Sequence, residues 1–265
     1  MLSLFQYEFM QKAFLVGMTL SVIIPMIGLV VVLKRLSMIG DALSHSSLSG
    51  VAMGLIFGAN PIFFAILASV ISALLIEAIR RKLPKYQEVS IAVVMSLGVG
   101  LAGVLSGFVK STTDFNSFLF GSIVSIPDFE VKLVLGVSFF VILAFLFLYR
   151  ELFLVSFDEQ QAKMAGVNVY LVNFIFTILT AVTVSVASRT VGALIVSSLM
   201  VIPVICAMQV AKSFRQTLLF SIFFAAIFMS AGLLMSFYLP LKPGGTIVLI
   251  AVLVLVMLFF IKRKS

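Results

Sequence analysis

Long apolar runs separated by short polar breaks fill almost the whole chain. Runs near 13–33, 38–58, 61–79, 89–109, 131–149, 170–188, 190–210, 216–238 and 245–261 are each about 20 residues long, the length of a helix that crosses a hydrocarbon core of about 30 Å. They lack the strict apolar–polar alternation of a transmembrane strand. The pattern predicts an all-α, polytopic integral membrane protein of about nine transmembrane helices, forming one domain over 1–265. The first run passes signal-peptide length and follows Glu8, so it reads as a resident span.

Composition agrees: 62% of residues are hydrophobic and 11% charged, against about 25% charged in soluble domains. The net charge of +8 could suggest nucleic acid, but in a membrane protein the placement of charge is more informative. Lys34-Arg35, Arg80-Arg81-Lys82-Lys85, Arg150 with Lys163, Lys212 with Arg215, and Lys262-Arg263-Lys264 share one side of the nine-span scheme, thirteen of the eighteen basic residues. That side is expected to be the cytoplasm, with the N-terminus outside and the C-terminus inside. No nucleic-acid partner is expected. The single Cys206 permits no intrachain disulfide and reads as a packing residue.

The polar exception is Gly40-Asp41-Ala42-Leu43-Ser44-His45-Ser46-Ser47-Leu48-Ser49-Gly50, which holds the only histidine. On a helix, Asp41 and His45 stand one above the other. An ionisable residue in the membrane costs about 2.5–3.5 kcal/mol on insertion scales and marks a cavity, a partner or a pathway. The structural alternative is a carboxylate that holds the imidazole and fixes helix packing. The functional one is a ligand pair for zinc or manganese. Two copies about a twofold axis could supply four ligands.

Of the other ionisable residues in the spans, Glu77 lies one turn before Arg80 and Arg81 and predicts an ion pair, and Arg189 sits near the outer rim. The aromatic segment 115–121 is expected to be re-entrant or interfacial. Segment 157–167 predicts a short surface helix with acids at its start and a glycine stop. Segment 203–215 predicts a span turning into an exposed basic helix. Gly50 with Gly54, Gly98 with Ala102, and Gly103 with Gly107 have the spacing of close helix packing. No phosphate loop, dinucleotide fingerprint, zinc-protease helix or serine elbow occurs, so an enzyme reading has little support.

The stretch Arg35-Leu36-Ser37-Met38-Ile39-Gly40-Asp41-Ala42-Leu43-Ser44-His45 closely resembles the hallmark segment of the zinc/manganese family of ABC-transporter permeases. The match continues through Phe118-Leu119-Phe120-Gly121, 158–169, Val191-Gly192-Ala193-Leu194 to Pro203, and Pro243-Gly244-Gly245-Thr246. The resemblance implies a homodimeric pore in the bacterial plasma membrane. Two copies of a cytoplasmic ABC ATPase and an extracytoplasmic metal-binding protein would serve it, and this chain would hydrolyse no ATP and bind no cofactor tightly. It places Asp41 and His45 on the metal pathway. By similarity to cobalamin and siderophore importers, it assigns ATPase coupling to 203–215, with Pro203, Ala207, Gln209, Lys212 and Arg215 in contact, and 158–166 as second candidate. Stretches 119–122 and 241–246 look more like the zinc branch, so Zn²⁺ is the expected substrate and Mn²⁺ or iron the alternative. A proton-coupled metal transporter without an ATPase is the competing class.

Overall fold

A computed structural model of the chain describes residues 7–83, 86–109, 126–239 and 241–263. Among them are eleven helices and no strand: α1 (Glu8–Leu33), α2 (Ile39–Ile56), α3 (Pro61–Lys82), α4 (Gln87–Ser106), α5 (Asp128–Phe147), α6 (Tyr149–Phe157), α7 (Glu159–Met164), α8 (Val169–Val191), α9 (Ala193–Val210), α10 (Phe214–Tyr238) and α11 (Pro243–Arg263). Each of the nine predicted spans coincides with a helix. Seven of these helices are long and apolar enough to cross a membrane by themselves; α2, with its acid, histidine and serines, does not meet that test. At 18 residues each, α2 and α9 are about 27 Å long. The segment 115–121 lies outside the described residues.

The apolar core lies along α1, whose most apolar stretch is 72% buried, against 22% for α11. At the periphery, Val93 and Leu97 of α4, Phe139 and Phe140 of α5, and Leu253 and Phe260 of α11 are exposed, as lipid-facing side chains should be. Lipid is as apolar as leucine, so burial of apolar side chains adds little to helix association and close backbone packing must supply it. A Cβ on Gly28 of α1 would lie 2.0 Å from the Met200 carbonyl oxygen of α9, and one on Gly50 of α2 2.2 Å from that of Phe64 in α3. Gly98 of α4 seats on Ser46 of α2 in the same way. The Gly103–Gly107 spacing marks no such contact: a Cβ on Gly103 meets nothing within 4 Å. That spacing lies on the exposed side of α4, where sequence alone could not separate packing from lipid contact.

At one end of the bundle the basic residues converge on two acids. Glu77 bonds Arg80 at 2.8 Å and Arg81 at 3.1 Å, as its spacing predicted, and Arg81 lies over the Tyr170 ring. Lys34, just past α1, reaches Glu159 at 2.9 Å, and Asn173 of α8 donates to the same carboxylate at 3.1 Å. Glu159 opens α7, the short helix predicted in 157–167: the Asp158 carboxylate accepts from the Gln160 and Gln161 amides, and Gly166 at φ +82° ends it. At the other end, Lys12 pairs with Asp128 at 2.6 Å and Arg189 with Glu130 at 2.9 Å. The Glu130 partner of Arg189 is distant in sequence, which is why the pattern left Arg189 unassigned.

Segment 203–215 differs from expectation. It contains no basic helix of its own: α9 runs to Val210, and after a short turn α10 starts at Phe214, with the Ser213 hydroxyl accepting from the Gln216 amide. The basic residues mark a turn too short to form a helix.

Two outcomes test this architecture. Gly28→Val should lower the thermal midpoint in detergent, at a cost of about 1–3 kcal/mol or more because a backbone carbonyl cannot yield, whereas Gly103→Ala should leave it unchanged or slightly raised. The second concerns Glu159. Burial raises its carboxyl, but the charge and hydrogen bond of Lys34, with Asn173 and Arg80, outweigh that and hold it below its ordinary 4.5. A depressed acid contributes stability above its unfolded value and loses it as pH falls through the folded one. Amide exchange in α7 should therefore quicken on acidification below 4.5, and Glu159→Gln should exchange fast already at neutral pH; equal protection in that variant would contradict the anchoring.

Candidate functional site

α2 is built to carry polar groups. The chain leaves α1 through Arg35 at φ +58° and re-enters helix at Ile39. Asp41 sits in the first turn, where the amide dipoles favour a negative charge. Three of the four serines that follow bond back locally: Ser46 donates to the Ala42 carbonyl, Ser47 to that of Ser44 and Ser49 to that of Ser46. Further out, Ser69 of α3 donates to the Leu43 carbonyl, and the Ser47 and Ser188 hydroxyls meet at 3.2 Å, joining α2 to α8.

From Ile39 through Ala52 every residue is buried except Asp41 and His45, which are half-buried. α3, α4, α8 and α9 cover the remaining faces of the helix. The acid and the imidazole thus share the one face left open.

The Asp41 carboxylate does not hold the imidazole. Its Oδ1 accepts a 2.6 Å hydrogen bond from the Ser197 hydroxyl of α9, and among the described residues no hydrogen bond or ion pair to the His45 ring occurs. The structural alternative of an Asp41–His45 bond is therefore replaced by a link to another helix. Ser197 was not singled out by sequence; the available signal was a Ser197-Ser198 pair inside an apolar span. No group of three or more His, Cys, Asp or Glu able to hold a metal is found among the described residues. Asp41 and His45 together are two candidate ligands, fewer than the four of a zinc site.

A cavity of about 360 Å³ opens at the Lys34 end, lined by Glu77, Arg80, Arg81, Glu159, Lys163 and Asn173 among others. Its two carboxylates are already paired with cations, so it offers no free ligand pair for a metal.

The residues expected to couple to an ATPase differ in exposure: Pro203 and Ala207 are buried in the bundle, Lys212 and Arg215 are exposed and Gln209 is half-buried. In 158–166, Gln160, Gln161, Lys163 and Met164 are all exposed, Met164 at 81%.

The stretch 241–246, taken as a zinc-branch mark, starts α11: Thr246 donates to the Lys242 carbonyl, and Gly244 packs against Ile195. It is structural, and 119–122 lies outside the described residues.

Comparison with known proteins bears on the same question. The chain is 32% identical over 254 residues to a "Probable metal transport system membrane protein" of Treponema pallidum, covering 95% of each. It is 30% identical over 263 residues to the "Manganese transport system membrane protein MntC" of Listeria monocytogenes, covering 99% of this chain and 94% of that one. Among solved structures, PsaBC from Streptococcus pneumoniae in complex with Fab superposes with a TM-score of 0.88 at 27% identity, covering 99% of this chain and 95% of that chain. The model of the ABC 3 transport family matches residues 6–262. The chain, an all-helical membrane protein with an acid and a histidine on the one open face of α2, belongs to the ABC 3 transport family.

Proposed function

We propose that the chain is the transmembrane permease subunit of an ATP-driven, binding-protein-dependent importer of a divalent transition metal, with Mn²⁺ as substrate in preference to Zn²⁺. The observation that carries the reading is the pair of half-buried residues, Asp41 and His45, on an otherwise sealed stretch of α2. A helix covered on its other faces exposes a carboxylate and an imidazole only where something remains to meet them. A second copy about a twofold axis would bring two of each, with water completing the shell that manganese prefers. The names of the relatives support manganese.

In this reading the Lys34 end faces the cytoplasm, because the positive residues gather there. Ser197 lies about 20 Å along α9 from its end at Val210, so the Asp41 it bonds sits well within the bilayer. The cytoplasmic ATPase pair docks on α7 and on the turn after Val210, and an extracytoplasmic metal-binding protein delivers the ion at the Glu130 end. ATP is hydrolysed only in the partner. Docking on α7 moves Glu159, which Lys34 and Asn173 tie to the ends of α1 and α8.

Proteoliposomes holding the permease, its ATPase and its binding protein should accumulate labelled Mn²⁺ only with ATP, and Asp41→Ala or His45→Ala should abolish it at normal protein levels. Uptake driven by a proton gradient without the ATPase would establish the competing class, and uptake surviving both changes would place the pathway elsewhere. Met164→Glu should reduce ATPase co-purification and leave Mn²⁺ binding by the permease unaltered; co-purification at the wild-type level would remove α7 from the interface.

A further inference from the structure

The geometry points to Ser197 as a positioning residue for the transported metal, one that sets how Asp41 presents its carboxylate. The inference rests on the metal-site reading above and adds a residue to it. Ser197 Oγ donates to Asp41 Oδ1 at 2.6 Å, a short bond of the kind formed to a charged acceptor. With Oδ1 engaged, the carboxylate plane is fixed and Oδ2 is left as the ligand atom beside the imidazole one turn above. A metal-bound carboxylate held in this way loses less freedom on binding, and partners of this kind typically contribute about 10–100-fold in metal affinity.

The contact is built by both helices. Gly40 immediately precedes Asp41, and a Cβ there would lie 2.8 Å from Ser197 Oγ and 3.4 Å from Ser197 Cα. Only the bare backbone of α2 lets α9 approach closely enough for a side chain as short as serine to reach the acid. α9 is itself pinned by Gly28 of α1 against Met200, three residues on. Ser197 also stands on the helix that leads into the exposed Lys212 turn. A shift of α9 against α2 therefore changes the carboxylate that meets the ion, which gives the partner-facing turn a route to the metal without any further ligand.

The test is titration of the purified full-length permease with Mn²⁺ alone, followed by the Mn²⁺ electron paramagnetic resonance signal, with thermal unfolding of the metal-free protein recorded alongside. Ser197→Ala should weaken binding by about 10–100-fold and alter the signal of the bound ion with the unfolding midpoint little changed, and Ser197→Thr, which keeps the hydroxyl, should restore binding. Gly40→Ala should weaken binding with Ser197 still present, and with Ser197→Thr it decides the matter if Ser197→Ala does not fold. Wild-type affinity in Ser197→Ala, or equal loss in the Thr and Ala variants, would overturn the assignment. Asp41→Asn and His45→Ala separate the two levels: if they bind Mn²⁺ as tightly as wild type, the site reading itself fails, whereas if they lose binding and Ser197→Ala does not, only the positioning role is lost.

Discussion

A carboxylate and an imidazole inside a lipid-embedded bundle impose the constraint on which the rest of this structure depends. Each is costly in hydrocarbon, so the helix that carries them must be surrounded by protein wherever they do not face. α2 meets this requirement by giving up apolar character. Three of its four serines bond back to its own carbonyls, its glycines admit α3 and α9 to near backbone contact, and α4 brings a glycine of its own to Ser46. The same economy explains why α2 fails the test of an independent membrane span: it is enclosed by helices that meet lipid in its place.

The two ends of the bundle solve a different problem. Charges that would be expensive in the hydrocarbon are gathered where α1, α3, α7 and α8 meet, and they are paired with one another. Glu159, half-exposed on α7, joins this cluster through Lys34 and Asn173, so a displacement of α7 is felt at the ends of α1 and α8. A short surface helix anchored through one carboxylate to three longer elements is well placed to pass motion inward, and the Asp41–Ser197 bond is a second link, from α9 to the site.

Much of this was legible in the sequence, and for physical reasons. Apolar run length fixed the nine helices because hydrocarbon thickness leaves little choice. Asp41 and His45 stood out because ionisable groups are rare in lipid, and Glu77 with Arg80 and Arg81 because helical spacing makes them neighbours. What was not legible depends on contacts distant in sequence: Glu130 with Arg189, Lys34 with Glu159, Ser197 with Asp41. The expectation of an exposed basic helix at 203–215 failed because charge marks a surface without giving the length of the turn there. The burial of Pro203 and Ala207 was not legible either, because an apolar residue near a span end can face lipid, partner or core with the same pattern. Zinc was favoured from a motif whose visible part caps α11.

The central claim is that two chains share one metal through Asp41 and His45, and the stoichiometry of Mn²⁺ bound to the purified permease tests it most directly. One ion for every two chains, lost in Asp41→Asn, is the predicted result. One ion per chain, or binding unaltered by loss of the Asp41 charge, would contradict it.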